Sequence, residues 1–104
     1  MIRATVFYPN VPGSRFDFDY YLRNHVPFAR TLLGTSGLVR LEVDRGLSGE
    51  EEGSVPRFRC VSHLYFHTES AFHAAMAAHG EELDKDVAHY TDVELFVQVS
   101  EMVD

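Results

Sequence analysis

The stretch DFDYYLRNHVPFARTLLG, Asp17 to Gly34, reads as a helix with a fault in its middle. Asp17 suits the N-cap, because its carboxylate accepts from the free N–H groups of a first turn. Gly34 suits the stop, because glycine reaches positive φ without a Cβ clash. Phe18, Tyr21, Leu22, His25, Ala29, Leu32 and Leu33 recur at helical spacing and predict an inward stripe. Pro27 interrupts the pattern. It has no N–H for the carbonyl four residues back, and it disfavours α geometry at Val26. His25 stands two residues before the fault, with Tyr21 one turn earlier on the same face. A titratable ring beside a backbone irregularity, with a phenol next to it, is the first place to look for chemistry.

Working outward, Ile2 to Tyr8 reads as a strand with apolar groups on both alternating faces. Pro9 to Ser14 is a loop by its turn chemistry. Leu38 to Arg45 reads as a second strand, alternating Val39, Leu41 and Val43 with Arg40, Glu42 and Asp44. The acidic loop Gly46 to Pro56 leads to a third strand, Arg57 to His67. There Phe58, Cys60, Ser62, Leu64 and Phe66 oppose Arg59, Val61, His63, Tyr65 and His67. Thr68 is the expected cap of a second helix carrying Phe72, Ala75, Met76 and His79, with Gly80 as its expected end. Glu81 to Tyr90 reads as irregular with a helical turn in it, and Val93 to Val99 as a fourth strand. The order β-α-β-β-α-β predicts a single α+β domain over residues 1–104 with ferredoxin-like topology. That is a four-stranded antiparallel sheet with two helices on one face. Strands that are apolar on both sides leave the other face in need of cover. The expectation is a homodimer whose sheets face each other, with a cavity beside the uncovered face.

Composition narrows the partners. The chain has 104 residues, 45% hydrophobic and 24% charged, with a formal net charge of −7. Nine Lys and Arg residues supply no basic face, which argues against nucleic acid. No apolar run approaches a membrane span, and the chain opens directly on a strand pattern, so a cytoplasmic protein without membrane association is expected. Cys60 is the single cysteine and sits in a strand pattern, where a buried, inert thiol is expected.

The motif Phe16-Asp17-Phe18-Asp19-Tyr20-Tyr21-Leu22-Arg23-Asn24-His25-Val26-Pro27 resembles the EthD family. So do the opening strand ending Tyr8-Pro9 and the tail Tyr90-Thr91-Asp92-Val93 followed by Gln98-Val99-Ser100-Glu101. The resemblance covers essentially the whole chain. The long acidic loop and the histidine-rich later part depart from the pattern. The resemblance implies a dimeric α+β barrel, in which two ferredoxin-like protomers form one barrel. It also implies a role in a degradation or biosynthetic pathway. The wider superfamily includes cofactor-free monooxygenases, isomerases, dehydratases and haem enzymes, and fold alone does not choose among them.

His25 is the acid–base candidate, since imidazole titrates near neutrality. Tyr21 is the candidate to orient it or to stabilise negative charge, and Tyr20 is a second possible donor. The competing reading has His25 merely bonding the carbonyl freed by Pro27. Tyr8, Tyr20, His63, Tyr65 and Tyr90 are the candidates for contacting a ligand. His63 and His67 lie four apart on a strand, about 13 Å from each other, too far to share a metal ion. His73 and His79 raise a haem reading, but they fall on different helix faces and no haem-attachment motif accompanies them. There is no glycine-rich nucleotide loop. The reading that results is a homodimeric enzyme without a tightly bound cofactor. It would act on a small hydrophobic molecule by isomerisation, dehydration or oxygenation. The alternative is a non-catalytic small-molecule-binding accessory protein.

Overall fold

Pleat alternation in the first strand sends Ile2, Ala4, Val6 and Tyr8 to one side of the sheet. The computed structural model describes residues 1–104. In it, β1 (Ile2–Pro9) lies between β3 (Phe58–Phe66) and β4 (Phe96–Glu101), and β2 (Arg40–Arg45) lies outside β3. All three pairings are antiparallel. The register sets Ala4 opposite both Leu64 and Val99, and Leu41 opposite Leu64, so one face of the sheet carries a continuous apolar layer. That layer forms the core together with Tyr21, Val26, Ala29 and Leu33 of the first helix and Phe72 and Ala75 of the second.

Helix α1 covers residues 18–34 in three pieces: Phe18–Tyr20, a π-helical turn at Tyr21–His25, and Val26–Gly34. The Val26 N–H reaches the Tyr21 carbonyl, five residues back. This widened turn is where the helix absorbs Pro27, whose ring and missing N–H would otherwise break it. The π turn also shifts the stripe. Tyr21, His25, Ala29 and Leu33, each four apart, are buried, while Leu22, expected inside, is 45% exposed. Gly34 is the last helical residue, but the chain is turned by Gly37, at φ 99°.

Helix α2 (Glu69–Asp86) starts as expected, with Thr68 Oγ1 accepting from the Ala71 N–H at 3.1 Å. It does not stop at Gly80. The strong helix formers Glu81, Glu82, Leu83 and Lys85 carry it two more turns, outweighing the roughly 1 kcal/mol that an interior glycine costs. A 3₁₀ turn, Val87–His89, follows directly. The fourth strand begins later than its alternation suggests, at Phe96, with Val93 and Leu95 packing on the core from the preceding loop.

The face of the sheet away from the helices is less apolar than expected. A register shift after Tyr8 brings Phe58 to that face, where it meets Phe7 and Phe96. The Phe7 ring is 5.0 Å from Phe58 and stacks at 5.1 Å on Phe96. The other half of the face is polar and internally paired. His63 Nε2 lies 2.8 Å from Asp44, the Tyr65 hydroxyl donates to Glu42 at 2.8 Å, and Arg40 covers the Tyr65 ring at 4.1 Å.

Candidate functional site

The π turn brings Tyr21 and His25 inward over β1 and β3, their rings stacked with centroids 5.4 Å apart. From the far end of the chain, the segment after α2 brings Asp86 and Tyr90 to the same place. A clamp holds that segment against the entry to α1. The Asp17 N–H donates to the Tyr90 carbonyl at 2.7 Å, Thr91 Oγ1 donates to the Arg15 carbonyl at 2.7 Å, and the Arg15 guanidinium donates to the Ala88 carbonyl at 2.9 Å. Phe16 and Thr91 form an isolated bridge. Around this clamp Tyr8, Phe16, Tyr21 and Tyr90 pack with centroids 4.8 to 5.8 Å apart, edge to face in every pair but Tyr21–Tyr90, whose rings are tilted at 55°. Such pairs contribute about 0.5–1.5 kcal/mol each beyond burial.

His25 Nδ1 lies 2.8 Å from Asp86 Oδ2, and both side chains are largely buried. The Tyr20 hydroxyl donates to Asp86 Oδ1 at 2.7 Å, and His89 Nδ1 lies 3.1 Å from that same oxygen. Desolvation works to raise the Asp86 pKa, but the hydrogen bonds from Tyr20 and His25 outweigh it and hold the carboxyl below its ordinary value. Asp86 is therefore a carboxylate and only accepts. This places the His25 proton on Nδ1 and leaves the Nε2 lone pair free. Burial lowers the His25 pKa, opposed by Asp86, so the ring is neutral at pH 7. Nε2 has one neighbour, the Tyr90 hydroxyl at 3.5 Å. Tyr90 and Tyr8 share a hydrogen bond of 2.8 Å, and the Tyr21 hydroxyl pairs with Ser62 Oγ at 2.5 Å. Burial pushes the phenols of Tyr8, Tyr21 and Tyr90 upward, so all three are protonated donors at neutral pH. Burial likewise raises the Cys60 thiol to about 11, which leaves it an unreactive core residue.

These groups end one side of a cavity of about 170 Å³ between the sheet and the two helices. A cavity of roughly 150 Å³ holds a benzene ring, so this one suits a single-ring molecule. Of the 19 residues that line it, 15 are hydrophobic, among them Val6, Leu64, Phe72, Leu83 and Val97. Gly80, in the middle of α2, contributes bare backbone to the wall.

The structure thus gathers His25, Tyr21, Tyr8 and Tyr90 at one cavity, on the helix-covered face of the sheet and not beside the uncovered one. Tyr20 stands behind Asp86 and does not line the cavity. His63 and Tyr65 are on the opposite sheet face, engaged with Asp44 and Glu42. The group bonded to His25 is Asp86 and not the carbonyl freed by Pro27, and Tyr21 supplies ring stacking. His73 pairs with Glu69 at 3.0 Å and His79 with Ser36 at 3.1 Å, and neither lines the cavity. No three His, Cys, Asp or Glu side chains converge as a metal ligand set. Asp86 and Ser62 escape a reading of the sequence. The signal for Asp86 is the spacing of Leu83 and Val87 after Phe72 and Met76, which continues the buried face of α2 past Gly80.

Residues 13–94 match the model of the EthD domain. The chain also superposes on the crystal structure of an EthD-like protein from Ralstonia eutropha JMP134. The TM-score is 0.92 at 36% identity, covering 99% of this chain and 92% of that one. The chain belongs to the EthD family. Beyond the family, the EthD fold seen here recurs in a candidate antibiotic biosynthesis monooxygenase from Deinococcus radiodurans. That match has a TM-score of 0.64 at 15% identity and covers 100% of this chain and 94% of that one. It recurs again in a dimeric ferredoxin-like protein from an uncultured marine organism, with a TM-score of 0.56 at 10% identity and coverage of 100% and 96%. No curated protein matches the chain. No helix of this EthD protein is long and apolar enough to cross a membrane.

Proposed function

We propose that this EthD protein is an enzyme that removes a proton from a small, largely apolar organic molecule, with His25 as the base. One observation carries the reading. Asp86 binds Nδ1 of His25 at 2.8 Å, and the ring lies in the wall of a single-ring-sized cavity with Nε2 otherwise unclaimed by a close donor. In the proposed step the substrate X–H proton passes to Nε2, and the electron pair stays on the substrate as an enolate or phenolate. Asp86 stabilises the imidazolium that results, as a carboxylate behind a catalytic histidine does. Tyr21 keeps the ring in plane by stacking and would not itself accept the proton, because burial holds its phenol protonated. Isomerisation, dehydration and cofactor-free oxygenation can each start from such a proton transfer.

The test is deuterium uptake from D₂O into small enolisable ketones of acetophenone size, followed by NMR. The native protein accelerates exchange, and His25→Gln loses about 100-fold or more of that acceleration. A folded His25→Gln protein exchanging at the native rate removes His25 from the chemistry. Ligand binding without exchange in the native protein replaces the enzyme with a carrier of small hydrophobic molecules.

A further inference from the structure

The cavity offers no cation. No Lys or Arg is among its lining residues, and the charged group that is present, Asp84, is acidic, with Asp86 directly behind His25. The polar end can be counted proton by proton. Tyr8 and Tyr90 share one hydrogen bond and hold two hydroxyl protons, so one proton is spent between them and one is left over, whichever donates. If the spare proton is on Tyr90, its one acceptor in the protein is Nε2 of His25, at a long 3.5 Å. Tyr21 and Ser62, which also line the cavity, are bonded to each other, and Ser62 Oγ has the buried Cys60 Sγ at 3.7 Å as a further partner. Next to His25 the cavity therefore presents the spare donor of the Tyr8–Tyr90 pair and one spare acceptor, Nε2, at the edge of an apolar space.

We infer that the site takes an uncharged phenol, enol or enolisable carbonyl of about one ring, its oxygen bound by the Tyr8–Tyr90 pair, and rejects the corresponding carboxylates. A phenol satisfies both spare groups with one oxygen, donating to Nε2 and accepting from the tyrosine pair. An enolisable carbonyl accepts from the pair and places its adjacent C–H toward Nε2. A carboxylate is rejected twice over. It has no proton for Nε2, and its charge would be buried without a counter-ion beside two aspartates. The inference rests on the reading of His25 as the base for its chemistry, but its recognition half stands on binding alone.

Three probes that share one tolyl ring separate the contributions in isothermal titration calorimetry at pH 7.5: toluene, p-cresol and p-toluate. p-Cresol binds about tenfold tighter than toluene, as one net hydrogen bond supplies. p-Toluate binds at least about 100-fold more weakly than p-cresol. Tyr8→Phe/Tyr90→Phe, which removes the spare donor, brings p-cresol to within about threefold of toluene while toluene still binds, the retained toluene affinity reporting an intact cavity. p-Toluate binding within tenfold of p-cresol, an unchanged p-cresol preference in the double variant, or failure of both neutral probes to bind the native protein each overturns the inference. If the neutral preference holds but His25→Gln leaves deuterium exchange intact, recognition by the tyrosine pair stands and the assignment of His25 as base falls.

Discussion

Asp86 has both carboxylate oxygens committed, one to His25 and the other to Tyr20 and His89. That arrangement makes it the residue on which the chemistry of His25 depends most. Asp86→Asn keeps an acceptor near Nδ1 but removes the charge that steadies an imidazolium. Its exchange rate is expected to fall by about 100- to 10,000-fold with the fold retained, which circular dichroism and NMR together check. The pH dependence has a definite sign. Burial, opposed by Asp86, holds the His25 pKa below its ordinary 6.5, so the base is already free at neutral pH. Activity should rise through a pKa below 6.5 and level off at higher pH. In Asp86→Asn the charge that raises the His25 pKa is gone, so the remaining activity should reach its plateau at a still lower pH. Stability follows the same group. The unfolded chain takes up the His25 proton as pH falls through 6.5 and the folded protein does not, so stability is lost between 6.5 and the lower folded value. Denaturant titrations across this window should show the loss in the native protein and a smaller one in His25→Gln. A flat profile would mean that His25 is not held neutral by the fold.

At the level of elements, the two helices are each organised around a residue that ordinarily ends a helix. Pro27 is accommodated by the π turn, and that turn is what aligns Tyr21 and His25 on the cavity side. Gly80 is spanned by α2, and its missing side chain leaves room in the cavity wall. A Cβ placed on Gly80 meets nothing nearer than Met76 at 3.8 Å, so alanine fits without strain. Gly80→Ala should therefore stabilise the helix by up to about 1 kcal/mol and raise Tm by at most roughly 4–8 °C in scanning calorimetry. The added methyl should weaken p-cresol binding. A lower Tm would show that α2 relies on glycine there for something alanine cannot do.

For the whole molecule, assembly turns on the sheet face that the helices leave bare. We expect a homodimer that covers this face, centred on Phe7, Phe58 and the half-exposed Phe96, since a stack of phenylalanines is costly to leave in water. Light scattering should give twice the chain mass at micromolar concentration, and Phe96→Glu should shift it to the single-chain mass without loss of helix content. A native monomer would refute this. The order of strands and helices, the cap at Thr68 and the inward placing of His25 were legible from the sequence, because each depends on residues within about four positions of one another, where periodicity and capping act. The π turn, the passage of α2 through Gly80, the side of the sheet that holds the cavity and the pairing of His25 with Asp86 were not. His25 and Asp86 are 61 positions apart, and their contact follows from how α1, α2 and the clamp at Thr91 stack on the sheet. Local spacing along the chain is enough to specify a ferredoxin-like α+β topology with an inward histidine. What that histidine bonds to and faces comes from packing and long-range register, which bring together groups that no local spacing relates.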